Sequence, residues 1–109
     1  MRVTAYAKKV VTLKVPQVLS ALSEPIRLDA MRIIWDGGEH CVCELMDRLD
    51  ATQSRMSRHM GALKAAGLVI DRRDAQWVRY RRNPDIPGEI ALIVDAVVAA
   101  MDSQGKAAA

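Results

Sequence analysis

The sequence predicts a small, mainly α-helical domain whose helical run is interrupted by one β-hairpin. Three observations carry this. Apolar residues recur at three- and four-residue steps over most of the chain. Glycines and prolines punctuate it at Pro16, Gly37-Gly38, Gly67, Pro84 and Pro87-Gly88. Between Leu68 and Arg81 the period changes from helical to alternating. A chain of 109 residues suits a single domain. Its core is modest, and small domains of this kind gain stability by pairing, so a homodimer is expected.

The elements follow in order. Residues 1–14 show weak periodicity and are assigned to an N-terminal arm. Pro16 opens a short helix over Gln17–Leu22, because proline fits a first helical turn. Ser23 is expected to cap the next helix, with Glu24 and Pro25 in its first turn. That helix runs to about Trp35, with Leu28, Met31, Ile34 and Trp35 on one stripe, and Gly37-Gly38 ends it. A third helix fits Val42–Leu49, with Leu45 and Leu49 sharing a face. Thr52 caps a fourth over Gln53–Ala66, whose inward stripe is Met56, Met60 and Leu63. Two helices joined by about three residues have the spacing of a helix-turn-helix. Leu68–Ile70 and Trp77–Arg81 read as strands around a polar tip, Arg72–Gln76. The last helix covers Glu89–Met101, with Ile90, Ile93, Val94, Val97, Val98 and Met101 on a wide stripe suited to its own domain and a partner copy. Residues 15–102 thus form a winged helix-turn-helix domain with a C-terminal dimerisation helix, and residues 103–109 read as a disordered tail.

Charge is unevenly placed. From Gln53 to Asn83 there are eight Lys or Arg (Arg55, Arg58, Lys64, Arg72, Arg73, Arg79, Arg81, Arg82) against two acids, Asp71 and Asp74. The remainder carries eight basic against eleven acidic residues. A local basic patch on an otherwise acidic chain points to a polyanion. A reading helix must offer short polar and basic side chains on the half that enters the major groove. Gln53, Ser54, Arg55, Ser57, Arg58 and His59 supply them. Arg suits the guanine edge and Gln the adenine edge, while Ser suits phosphate. At the wing, Arg72, Arg73, Gln76 and Arg79 can reach a flanking phosphate or the minor groove. His59 stays open between DNA contact and packing. Trp77 and Tyr80 read as hairpin packing residues rather than base-stacking ones.

No run of about 18 apolar residues is present, and the basic N-terminus lacks a signal-peptide pattern. A cytoplasmic protein is expected. No Gly-rich phosphate loop, metalloprotease helix motif or nucleophile–base arrangement is found, so an enzyme is not expected. The two cysteines, Cys41 and Cys43, are close enough in sequence to make a poor structural disulfide. In a reducing compartment they suit a soft metal or redox chemistry.

The stretch Gln53 to Asn83 resembles the ArsR/SmtB repressors. It carries Ser54, Ser57, His59, Met60 and Leu63, then Ala66-Gly67-Leu68-Val69, Arg72-Arg73, Trp77 and Tyr80. Ala75 replaces the family's usual wing glycine. Upstream, Leu22-Ser23-Glu24-Pro25-Ile26-Arg27-Leu28 resembles the family's opening, and the resemblance covers about residues 17–101. It implies a dimeric winged-helix repressor on double-stranded operator DNA of inverted-repeat form, released by a metal or metalloid. Cys41-Val42-Cys43-Glu44-Leu45 resembles the family's arsenic-binding stretch at the start of a helix. The resemblance implies arsenite or antimonite as inducer on Cys41 and Cys43, with Met46 standing where the third cysteine falls. The family's other metal sites are not matched: the arm has no cysteine, and the last helix has Asp95 and Asp102 but no histidine.

In an ideal helix, positions two apart point about 200° from each other. Binding both sulfurs to one ion is therefore expected to unwind the first turn of the third helix and misplace Arg55 and Arg58 through Leu45 and Leu49. A thiol-redox or other thiophilic-metal sensor on the same scaffold is the competing reading. A winged helix that binds only protein is a third, and a weak salt dependence of DNA binding would favour it.

Overall fold

A computed structural model describes residues 13–108. The arm and the final alanine lie outside that range, apart from Leu13 and Lys14. The order is α1 (Val15–Leu22), α2 (Pro25–Ile34), β1 (His40–Cys41), α3 (Val42–Leu49), α4 (Gln53–Ala65), β2 (Val69–Asp74), β3 (Trp77–Arg82) and α5 (Gly88–Ala108). The fold is a winged helix-turn-helix, with α3 and α4 as the helical pair and β2–β3 as the wing.

Helices α1, α2 and α4 each start on a device the sequence supplies. Pro16 lies in the first turn of α1, which buries Val18, Ala21 and Leu22. The cap of α2 is Glu24, not Ser23: its carboxylate accepts the Arg27 backbone N–H at 3.0 Å. Ser23 instead closes α1, donating its hydroxyl to the Ser20 carbonyl. A glutamate caps here because Ser23 is already spent on the preceding helix. Thr52 caps α4, accepting the Arg55 N–H. Gly67, at φ +86°, ends α4. The N–H groups of Leu68 and Gly67 bond the Leu63 and Lys64 carbonyls at 3.0 Å, so the orphan carbonyls of the last turn are satisfied.

The core lies where α2, α3 and α4 meet the hairpin. Met31, Ile34, Leu45, Met56, Met60, Leu63 and Leu68 are fully buried. Each such side chain contributes about 1.5–3 kcal/mol by leaving water. From α5, Ile90 and Val94 join this core, while Leu92 is 67% exposed. Two hydrogen bonds fasten α5 further along: Trp35 Nε1 to Asp95 at 2.6 Å and Arg32 Nε to Asp102 at 2.7 Å. The helix continues past Met101 to Ala108, through the stretch expected as a tail; Gln104, Lys106, Ala107 and Ala108 are good helix formers and no proline interrupts them.

The sheet differs from expectation in two ways. Both strands of the hairpin are longer, so the loop is only Ala75-Gln76, and Arg72 and Arg73 lie within β2 rather than at the tip. A third strand, β1, pairs antiparallel with β3, giving the order β1-β3-β2. A two-residue strand has no sequence period of its own; its partner defines it.

Candidate DNA interface and cysteine site

On α4 the side chains divide by face. Met56, Met60 and Leu63 are buried, and Gln53, Ser54, Arg55, Ser57 and Arg58 are all exposed. Arg55 and Arg58 have no ion-pair partner among the described residues. Capping by Thr52 leaves the exposed Gln53 and Ser54 at the positive end of the helix dipole. His59 behaves differently. Its side chain is only 14% exposed and lies 3.8 Å from Glu24, with Nδ1 3.5 Å from Arg27 Nη1.

The wing is less free than its sequence suggests. Arg72 makes a two-bond fork to Glu39, at 2.6 and 2.7 Å. Arg79 donates to Asp74 at 2.7 Å, and Lys64 pairs with Asp71. Arg82 stacks 3.5 Å over the Trp35 ring. Arg73 and Gln76 are exposed. Four cations of this segment, Lys64, Arg72, Arg79 and Arg82, thus brace the wing, Arg81 is half-buried in β3, and the exposed ones, Arg55, Arg58 and Arg73, remain as a field for a polyanion.

Cys41 and Cys43 meet as a disulfide, with their Cα atoms 5.1 Å apart. This corrects the expectation that helical geometry holds the sulfurs apart. Cys41 is not a helical residue. It is the N-cap of α3, with extended backbone at φ −69° and ψ 144°. Its side chain folds back over the first turn, where Sγ also accepts the Cys43 N–H at 3.2 Å. The sulfurs therefore come together without unwinding α3. Cys41 is buried and Cys43 exposed. Met46 is partly buried against the core. No cluster of three or more His, Cys, Asp or Glu suited to a metal ion is present among the described residues.

Beside the pair, buried His40 is held from both sides. Nε2 lies 3.0 Å from Asp36, and Nδ1 lies 3.0 Å from Glu44. Glu44 also accepts Arg48. Burial alone would lower the pKa of His40, but the two carboxylates outweigh it and hold the imidazole above its ordinary value. Asp36 is lowered by its bond to His40. Glu44 is lowered because His40 and Arg48 together overcome its burial. Strand β1 then places Cys41 opposite Arg79 and His40 opposite Tyr80 on the wing.

The sequence model described as "Bacterial regulatory protein, arsR family" matches residues 24–71. The arsenic resistance transcriptional regulator ArsR2 of Pseudomonas putida is 46% identical over 72 residues, 66% of this chain and 63% of that protein. The arsenical resistance operon repressor of Escherichia coli is 39% identical over 79 residues, 72% of this chain and 68% of that protein. The chain belongs to the arsR family. Its match thus spans about two thirds of the length of these curated relatives, which are transcriptional regulators rather than enzymes. Among solved structures, the homodimeric winged helix-turn-helix DNA-binding domain Mb0332 of Mycobacterium bovis superposes with a TM-score of 0.66. It is 26% identical and covers 83% of this chain and 80% of that one.

In this arsR-family chain, Gln53, Ser54, Arg55, Ser57 and Arg58 share one exposed helix face, with Arg73 and Gln76 exposed on the wing. Arg72, Arg79 and His59 are instead engaged by Glu39, Asp74 and Arg27. Reading the sequence missed Glu39, Glu24 and the His40 cluster. The cluster had a legible signal, since Asp36, His40 and Glu44 are spaced four apart. Glu39 had none, because its partner is 33 residues away. Among the described residues no helix is long and apolar enough to cross a membrane.

Proposed function

We propose that this chain is a metalloid-responsive transcriptional repressor. It binds operator DNA as a homodimer through Gln53, Ser54, Arg55, Ser57 and Arg58 of α4 and through the wing. It releases DNA when trivalent arsenic or antimony bonds Cys41 and Cys43. The observation that carries the reading is the meeting of the two sulfurs at the N-cap of α3. A cysteine pair able to close on itself is, once reduced by two electrons and two protons, a pair of thiols able to close on one thiophilic atom. Trivalent arsenic exchanges two hydroxyl ligands for two thiols and releases two waters. Soft thiolates suit it better than histidine or carboxylate would.

Two routes lead from the cysteines to the reading head. Val42 and Leu45 of α3 are packed in the core against α4. Cys41 also belongs to β1, whose ladder with β3 runs into the wing at Arg79. Movement at the N-cap would disturb both. The relatives named for arsenic resistance support the choice of inducer.

The disulfide favours a second reading, a thiol-redox sensor that uses the same pair and the same routes. One experiment separates the two. Fluorescence anisotropy of the reduced, anaerobic chain on a duplex from its own promoter is followed with arsenite, antimonite, cadmium, zinc and peroxide. Release by arsenite that is lost in Cys41→Ser and Cys43→Ser supports metalloid sensing. Release by peroxide alone supports redox sensing. Release by arsenite that survives both substitutions sinks the cysteine assignment.

A further inference from the structure

We propose that His59 is a positioning residue for DNA recognition. With Arg27 it sets the rotation of α4 against the corner between α1 and α2, and it does not itself contact DNA. The inference rests on the DNA-binding reading of α4.

Arg27 ties three helices through one guanidinium. Its backbone N–H bonds the Glu24 cap of α2 at 3.0 Å. Its Nε donates to the Ala21 carbonyl at 2.7 Å, and Nη2 reaches the Ser20 carbonyl at 3.4 Å. Both carbonyls lie at the C-terminal end of α1, where helix geometry leaves acceptors without intrahelical partners and where positive charge is favoured. The remaining arm, Nη1, meets His59 Nδ1 at 3.5 Å. Arg27 is thus fixed by α1 and α2 before it touches α4, and the guanidinium is a rigid fork.

The chemistry of the contact assigns the ring. A guanidinium only donates, so a bond from Nη1 takes Nδ1 as its acceptor and leaves the ring N–H on Nε2; the Glu24 carboxylate, 3.8 Å from the same Nδ1, lies beyond hydrogen-bond reach. His59 lies one turn beyond Arg55 on the same side of α4 and next to Arg58, the two exposed cations. A second tie, Gln17 Nε2 to the Ala65 carbonyl at 3.5 Å, joins α1 to the far end of α4. The helix is therefore held at its middle by the α1–α2 corner and at its C-terminus by the start of α1, while its N-terminal face stays exposed. Arg27 and His59 come from the two motif stretches of the sequence, 32 residues apart, and the fold brings them together.

The test uses the full chain on its promoter duplex. Asparagine places an acceptor oxygen near the Nδ1 position, and glutamine extends its amide toward the Nε2 position. His59→Ala is expected to weaken binding about tenfold, the scale of one lost hydrogen bond. His59→Asn is expected to recover most of that and His59→Gln little. None should change the slope of log affinity against log salt, because no phosphate contact is removed. Recovery by Gln but not Asn, or a slope shallower by about one, would mean direct DNA contact and overturn the proposal. Unchanged affinity in all three variants overturns it too. Absence of binding by the unaltered chain overturns the DNA-binding reading and this proposal with it. A measurement that needs no substitution is nitrogen-15 NMR of the His59 ring: the Nε2–H tautomer is expected, and the Nδ1–H tautomer rules the contact out.

Discussion

Trp35 donates its indole Nε1–H to Asp95 at 2.6 Å, which fastens the C-terminal helix to the end of α2. The opposite partner of the same ring is Arg82, stacked 3.5 Å above it from the last position of the wing. One aromatic side chain therefore joins α2, the wing and α5. Removing the acceptor, Asp95→Ala, is expected to cost about 1 kcal/mol and lower Tm by roughly 4–8 °C. Thermal unfolding followed by circular dichroism reads this. An unchanged Tm would mean that the bond is replaced by water at no cost.

The turn of the wing carries a second prediction. Ala75 has φ +57°, a region that penalises a Cβ and favours glycine. Ala75→Gly is expected to stabilise the chain by about 0.5–1 kcal/mol, because relief of strain exceeds the added freedom of the unfolded chain. Urea denaturation should show a higher midpoint with the same slope.

The reading face and the braced wing should respond differently to substitution. Arg55→Ala and Arg58→Ala, which remove exposed cations, are each expected to cost about 1–3 kcal/mol of operator affinity. Glu39→Gln removes the negative charge from the fork to Arg72 and leaves that cation less neutralised, so DNA binding should hold or tighten. Anisotropy titrations at several salt concentrations distinguish them. A larger loss from Glu39→Gln than from Arg55→Ala would show that bracing the wing matters more than free charge.

Stability should depend on pH through His40. Its pKa is raised in the folded chain, so its contribution is complete below the ordinary value near 6.5 and is lost as pH rises through the folded value. Asp36 and Glu44 are lowered, so theirs is present above the ordinary carboxylate range and lost as pH falls. The cluster therefore stabilises most between about pH 5 and 6.5. Denaturation of the chain from pH 5 to 9 should show a decline that His40→Asn flattens. Parallel curves would remove His40 as its source.

Dimer formation should depend on apolar side chains left outside the core. Leu19 on α1 is 49% exposed and Leu92 on α5 67% exposed. In a two-fold dimer each substitution acts twice, so Leu92→Asp is expected to weaken association by at least about 2 kcal/mol. Sedimentation equilibrium measures it. A dimer unaffected by either Leu19→Asp or Leu92→Asp would move the interface elsewhere.

Much of the local architecture was legible because local physics sets it. Val42–Leu49 was read without error, since apolar spacing marks the helix and the polar link Asp50-Ala51-Thr52 ends it. The exposed face of α4 followed from the same period. Boundaries failed where two neighbouring elements compete for one residue, as Ser23 shows by closing α1 and leaving Glu24 to cap α2. The wing was read too short because Arg72 and Arg73 look like loop residues, whereas pairing with Arg79 and Val78 makes them strand.

By itself, then, the sequence determined the order of helices, the hairpin, the exposed polar and basic face of α4 and the presence of a soft cysteine pair. Those rest on periodicity, capping and composition, which act over a few residues. Tertiary structure decided which cations are braced and which are exposed, that His59 turns toward Arg27, and that β1 joins the cysteines to the wing. It also decided that the sulfurs can meet, because an extended N-cap directs Cys41 differently from a helical residue. The Arg27–His59 contact and the Arg72–Glu39 fork span 32 and 33 residues, and no local pattern encodes them; the cysteines are two residues apart, and their meeting depends on where α3 begins.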